Sequence, residues 1–226
     1  MIDRVCGGES ATIVGTRGDD RIVGTDRADV IVARAGDDVI KGRGGDDVIC
    51  AGKGHDWVRA GDDLSGNLVK GGKGSDIILG GGAGFEDFGF AERLLGGSGP
   101  DTIIGTSGQD IIRGGEGADL IMGRGTNDSQ FPERLSGGDG RDRIDGGVFV
   151  DETTVPPDAG FVPEILRGGS GADAPTGGSA DSSLSGGEGN DSLNGDGGAN
   201  SNNGGPGGDR CINPDPTGGA QDCEGS

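Results

Sequence analysis

The sequence predicts an all-β fold, a parallel β-solenoid, and three observations predict it. Glycine supplies 55 of 226 residues while aromatic residues make up only 3%, so a conventional core of large side chains is out of reach. A nine-residue register runs from Gly15 to Ile212. An apolar residue recurs at its eighth position: Ile22, Ile31, Ile40, Ile49, Val58, Val69, Ile78, Leu94, Ile103, Ile112, Ile121, Leu135, Ile144 and Leu166. A period of nine fits neither a helical stripe nor a long amphipathic strand. It fits a six-residue glycine-rich turn followed by a three-residue strand whose middle side chain points inward. Glycine serves where the turn needs φ > 0 or where neighbouring coils pack backbone to backbone, and β-branched isoleucine fills a pleated interior.

Each part of the chain then has an expected place. Residues 1–14 form an N-terminal cap, with Ala11, Thr12, Ile13 and Val14 as a first strand. Residues 15–173 carry the repeats, with longer members at 60–70, 80–95, 123–136 and 146–167. Over 174–210 the repeats degenerate: the eighth position reads Pro175, Leu184, Leu193, Asn202 and Cys211 as Gly, Ser and Asn become dense, and 174–205 is expected to be the loosest part. Residues 211–226 form a C-terminal cap, in which Cys211 and Cys223 enclose the rigid turn Asn213, Pro214, Asp215, Pro216, protecting an open solenoid end.

The formal charge of −20 argues against nucleic acid or an anionic membrane as partner and for cations. No apolar run is long enough for a transmembrane helix, so no membrane insertion is expected. Met1, Ile2, Asp3 and Arg4 are not followed by the apolar stretch of a signal peptide, yet the four cysteines point to staples made in an oxidising compartment. The protein is therefore expected to be secreted, its native gene supplying a leader that this chain lacks. A metal-thiolate site is disfavoured, with no CxxC pair and one histidine. With Cys211 and Cys223 paired, elimination leaves Cys6 with Cys50. The register sets those two about two coils, ~9.6 Å, apart, so a bridge requires residues 1–10 to fold back along the side.

The units GGSGPDTII (96–104), GGEGADLIM (114–122), GGKGSDIIL (71–79) and GGEGNDSLN (186–194) resemble the RTX, or haemolysin-type, calcium-binding repeat. The resemblance covers most of the chain through many tandem copies, where a single nonapeptide would be weak. It implies a right-handed parallel β-roll with two nonets per coil, with Ca²⁺ held in the turns by the Asp at position six and by backbone carbonyls. That chemistry suits a hard cation taking six to eight oxygens.

With two nonets per coil, alternate turns stack on opposite edges. Counting from Gly15, position six of the odd units reads Asp20, Asp38, Asp56, Asp76, Asp101, Asp119, Asp142, Asp173, Asp191 and Asp209, and every odd unit is nine residues long. The even units read Asp29, Asp47, Asn67, Glu92, Asp110, Glu133, Glu164, Ser182 and Asn200, and all four length changes fall among them. A continuous calcium ladder is expected on the odd edge; Asp29, Asp47 and Asp110 are candidate ligands on the other. Glu92, Glu133 and Glu164 have two readings of equal weight, a longer-armed calcium ligand or a solvated rim carboxylate. One aliphatic side chain per nonet cannot offset the ordering of nine residues, and stacked carboxylates repel. Folding is therefore expected to accompany the binding of several Ca²⁺ ions.

All six phenylalanines, Phe85, Phe88, Phe90, Phe131, Phe149 and Phe161, fall in the three longest insertions. They are candidates for a surface that recognises a protein or glycan, against the reading that the loops pack on one another. His55 has no second histidine, serine or cysteine arranged for a nucleophilic triad, and Trp57 is expected to point outward. The reading is a monomeric, non-enzymatic, secreted calcium-binding roll. A secretion or stability module of a larger exported hydrolase or toxin is the alternative. An ice-binding or adhesion solenoid is disfavoured because Arg21, Val39, Lys41, Trp57, Ile77 and Thr102 make an irregular outer row.

Overall fold

The computed structural model describes residues 4–61, 66–81, 91–124, 133–147, 164–178, 181–196, 200–212 and 219–223. Two parallel sheets face each other. Sheet A has ten strands, from Arg21–Val23 to Arg210–Ile212; sheet B has eleven, from Ile13–Val14 to Gly219–Gln221. Successive strands in the chain alternate between the sheets, so each coil contains two nonets and the two sets of turns lie on opposite edges. Sheet A receives the strand after each odd turn and sheet B the strand after each even turn.

Register is set by the eighth position. In sheet A, Ile22 pairs with Ile40, Ile40 with Val58, Val58 with Ile78, Ile78 with Ile103, Ile103 with Ile121 and Ile121 with Ile144. In sheet B the corresponding column runs Ile31, Ile49, Val69, Leu94, Ile112, Leu135, Leu166, Leu184. The two columns form one continuous buried core, because a slip by one residue would turn every aliphatic side chain to solvent. The ladder continues past residue 173: Pro175 pairs with Ile144, and Asn202, fully buried, pairs with Leu184. Asn202 Nδ2 donates to the Ile212 carbonyl at 3.2 Å, while its Oδ1 is buried without a hydrogen-bond partner.

The strands of sheet B from Val30–Ala35 to Ser182–Glu188 are longer than the three residues expected. Arg93–Ser98, Ile111–Glu116 and Arg134–Asp139 each have six. The second glycine of the odd turn stays in the ladder, Gly97 opposite Gly115 and Gly115 opposite Gly138. At φ 128 and 125, Gly97 and Gly115 occupy a conformation closed to ordinary side chains. A Cβ on Gly115 would also collide with the Gly97 carbonyl. Inward positions are therefore six, eight and one, as in Asp110, Ile112 and Gly114, all buried. The carboxylate thus belongs to the inner face and not to the rim.

Both ends are stapled. The hairpin of Val5–Cys6 and Glu9–Ser10 is the only antiparallel pair among the described residues. It folds back so that Cys6 packs on Val30 and Val32, with Ala11, Val48 and Cys50 beside it. That return resolves the register problem: Cys6 and Cys50 are bonded, with Cα atoms 5.8 Å apart. Cys211 and Cys223 are also bonded, with Cα atoms 5.7 Å apart. The Asn213 to Pro216 turn between them lies outside the described residues.

Candidate metal-binding edges

Along the odd edge the ten aspartates form one hydrogen-bonded ladder. The backbone N–H of Asp20 donates to Asp38 Oδ1, that of Asp38 to Asp56 Oδ1, and that of Asp56 to Asp76 Oδ1, at 2.8 to 2.9 Å. The series continues unbroken through Asp101, Asp119, Asp142, Asp173 and Asp191 to Asp209 Oδ1. Asp38 through Asp209 are each at most 3% exposed. The second oxygen, Oδ2, of these nine aspartates is buried without a hydrogen-bond partner. Buried charged oxygens left in that condition are costly unless a cation supplies the missing partner.

The unpartnered oxygens do not stand alone. A Cβ on Gly71 would collide with Asp76 Oδ2 and lie 2.7 Å from the Gly96 carbonyl oxygen of the next coil. The same pairing recurs beside Gly96, with Asp101 Oδ2 and the Gly114 carbonyl at 2.6 Å, and beside Gly114, with Asp119 Oδ2 and the Gly137 carbonyl at 2.6 Å. In these turns the first glycine thus clears a cradle in which a carboxylate oxygen and a carbonyl oxygen from successive coils converge; the Asp38 and Asp56 turns carry Ala33 and Ala51 at that position. Among the described residues there is no cluster of three carboxylate, histidine or cysteine side chains, because the carboxylates are strung one per turn. The donor set is all oxygen, which fits a hard divalent cation such as Ca²⁺.

Ionisation follows the same geometry. Burial, with the carboxylates above and below adding to it, pushes Asp56 and Asp101 up to about 7. Burial likewise pushes Asp142 and Asp173 up to about 6, and raises Asp38, Asp76, Asp119 and Asp191. In each case the neighbouring Asp N–H works in the opposite direction without prevailing.

Asp20 departs from its edge. Thr16, at the second position of its turn, turns both backbone N–H and hydroxyl to Asp20 Oδ2, at 2.5 and 3.1 Å. On the even edge Thr25 does the same for Asp29 Oδ2 at 2.7 and 2.9 Å, and Thr106 for Asp110, its N–H 2.6 Å from Oδ2. Burial works to raise Asp29, but the Thr25 and Thr12 donors outweigh it and hold its carboxyl below the usual range. Asp110 is buried more completely and is pushed up to about 6 despite Thr106. A Gly-Thr turn therefore supplies from within what a Gly-Gly turn leaves open. The pattern was present in the sequence as GTRGDD, GTDRAD and GTSGQD, but glycine and threonine at position two are told apart only by where their donors point.

The even edge keeps the ladder with other residues. Asp29 N–H donates to Asp47 Oδ1, Asp47 N–H to Asn67 Oδ1, Asn67 N–H to Glu92 Oε2, and Glu92 N–H to Asp110 Oδ1. Further on, Ser182 N–H donates to Asn200 Oδ1. Asn67 makes the contact as well as an aspartate does, so the hydrogen bond alone does not require a carboxylate. Ten aspartates in ten odd turns need a further reason, and a cation provides it. Glu92, Glu133 and Glu164 are 3%, 5% and 6% exposed, so the solvated-rim reading gives way. The Glu164 carboxylate reaches the first glycine of its own unit, Gly146, and burial followed by nearby Asp145 pushes it up to about 7.

His55 takes part in an outer ladder: its N–H donates to Asp37 Oδ1 at 2.7 Å, and its Nδ1 accepts from Ser75 N–H at 2.9 Å. Trp57 sits half-buried in the outward row of sheet A. Phe85, Phe88, Phe90, Phe131, Phe149 and Phe161 lie outside the described residues.

Fold and turns together define the class: a parallel β-roll of nonapeptides that aligns buried carboxylates with backbone carbonyls along an edge. The RTX calcium-binding nonapeptide repeat matches residues 7–26, 23–58, 63–83, 95–130, 131–151 and 176–211. These segments make up well over half of the chain, and the chain belongs to that family. No curated protein matches the chain.

Proposed function

We propose that the protein is a secreted, monomeric calcium-binding roll without catalytic activity, whose fold is completed as several Ca²⁺ ions enter the odd edge between Asp38 and Asp209. The observation that carries this reading is the row of nine buried, unpartnered Oδ2 atoms, seven of them, from Asp76 to Asp209, beside a cleared glycine. Carboxylates about 4.8 Å apart along the stack oppose folding while they are ionised and uncompensated, and a divalent ion between successive turns reverses that sign. Coupling is expected to be cooperative, since neighbouring coils share oxygens. Asp20, Asp29 and Asp110, already served by threonine, are the weakest ligands of the set. Two disulfides support an oxidising, extracellular setting. Presentation of the phenylalanine-bearing insertions to a protein or glycan remains part of this reading on sequence grounds alone.

The test is a calcium titration followed by far-UV circular dichroism, with magnesium as control, on wild type and on Asp76→Asn/Asp101→Asn/Asp119→Asn. A cooperative gain of β-structure with calcium but not magnesium, shifted to higher calcium in the variant, is expected. A chain equally ordered in chelator and in calcium would sink the proposal.

A further inference from the structure

The outer face of sheet B carries a basic patch, set apart from the carboxylates Glu116, Asp139 and Glu188 at the far ends of its strands. The outward column at position seven runs Leu68, Arg93, Ile111, Arg134, Ile165, and the adjacent column at position nine runs Lys70, Leu95, Arg113, Ser136, Arg167. Arginines alternate between the columns from one coil to the next, with aliphatic side chains between them. The four arginines are exposed, and they line a shallow groove of about 870 Å³ together with Ile111, Ile165 and Ser136. From Val30 to Asn203 no carboxylate stands in either outward column of this sheet. Five of the chain's nineteen basic residues are thus gathered on one face of a protein whose net charge is −20.

We propose that this face binds an extended polyanionic polysaccharide, one bearing sulfate or carboxylate groups along its length. Arginines in one column recur every second coil, about 10 Å apart, and the guanidinium fork holds planar or oxyanionic groups in two hydrogen bonds. The intervening Ile and Leu side chains cover the apolar faces of a stiff chain lying across the strands. An acidic peptide fits less well: the strands are hydrogen-bonded on both sides, so the face offers no edge to which a peptide strand can add. Among the described residues the face also carries no aromatic platform on which single-stranded nucleic acid could stack. The acidic remainder of the molecule repels polyanions elsewhere, which confines binding to the groove.

The experiment measures binding of heparin and of chondroitin sulfate by calorimetry, with calcium in excess so that the roll is folded. Poly-L-glutamate and neutral dextran serve as controls. Arg93→Ser/Arg113→Ser/Arg134→Ser/Arg167→Ser introduces a residue the same columns already carry at Ser136, Ser183 and Ser185; Arg93→Ser/Arg134→Ser is the milder version should the fourfold change disturb folding. Arg21→Ser/Arg143→Ser/Arg210→Ser alters sheet A only. Wild type and the sheet A variant are expected to bind a sulfated chain alike, and more weakly as salt is raised. The sheet B variants, with unchanged circular dichroism, should lose affinity tenfold or more. Undiminished binding by the sheet B variants overturns the proposal, as does failure of wild type to bind either sulfated chain. Tighter binding of poly-L-glutamate than of both polysaccharides also overturns it, since the face would then be reading acidic peptide.

Discussion

At the scale of single residues, position six of each turn does two jobs that substitution can separate. Oδ1 accepts the N–H of the preceding coil, and Oδ2 is left for a cation. Asp119→Asn keeps the first and removes the charge needed for the second, as Asn67 already shows by accepting the Asp47 N–H. In calcium, Asp119→Asn is expected to keep the β-spectrum but require more calcium to reach it. Asp119→Ala should lose both jobs and destabilise the calcium-bound roll by a further ~1–3 kcal/mol, the cost of leaving the buried Asp101 N–H unserved. Equal calcium midpoints for wild type and Asp119→Asn would remove Oδ2 from the site. Thr106→Val tests the complementary turn, where the hydroxyl lies 3.2 Å from Asp110 Oδ1 and 3.3 Å from Oδ2. A loss of about 1–3 kcal/mol in thermal stability is expected at saturating calcium; an unchanged melting temperature would deny the hydroxyl its role. The carboxylates themselves were legible in the sequence, because position six of every odd unit reads Asp. What was not legible was which of their oxygens had a partner, since that depends on whether the second residue of the turn directs its N–H and hydroxyl inward.

At the scale of the strand and turn, the glycines of positions two and four fix how closely coils approach. Gly115→Ala puts a Cβ against the Gly97 carbonyl at φ 125, and neither backbone can retreat without breaking the ladder to Gly138. The substitution is expected to cost more than the ~1–2 kcal/mol of an ordinary left-handed residue and to split one cooperative calcium transition into two, coils before and after the lesion folding separately. A single transition at the wild-type midpoint would mean that the stack yields more easily than its packing implies. Element order and register were readable from Ile22 to Leu166 because one aliphatic residue per nonet, repeated without slip, leaves a single pairing that buries them all. Strand length was not. The sequence pattern of Gly-Gly-x marks a turn, and only stacking shows that Gly97, Gly115 and Gly138 remain paired. The Cys6 to Cys50 bridge was reachable by elimination, but the side on which residues 4–10 return depended on the apolar patch of Val30, Val32 and Val48 on sheet B.

At the scale of the whole molecule, the buried carboxylates make folding respond to protons and calcium in opposite directions. In the metal-free roll the odd-edge aspartates from Asp38 to Asp191 are raised, Asp56 and Asp101 to about 7 and Asp142 and Asp173 to about 6, while in the unfolded chain they titrate in the ordinary range near 4. Between those values the folded state binds more protons than the unfolded one, so the stability of the metal-free roll falls as pH rises from about 4 through about 7. Calcium reverses the dependence, because it requires the ionised carboxylates and must displace their protons. In chelator, therefore, far-UV circular dichroism should show more β-structure at pH 5 than at pH 8. In calcium, the midpoint should move to severalfold higher metal concentration as pH drops from 7.5 to 5.5, with protons released on binding. A pH-independent calcium midpoint, with no proton release, would mean that the carboxylates are already ionised before the metal arrives. The folding charge penalty would then have to be carried elsewhere, and the column of unpartnered oxygens would not be what ties folding to calcium.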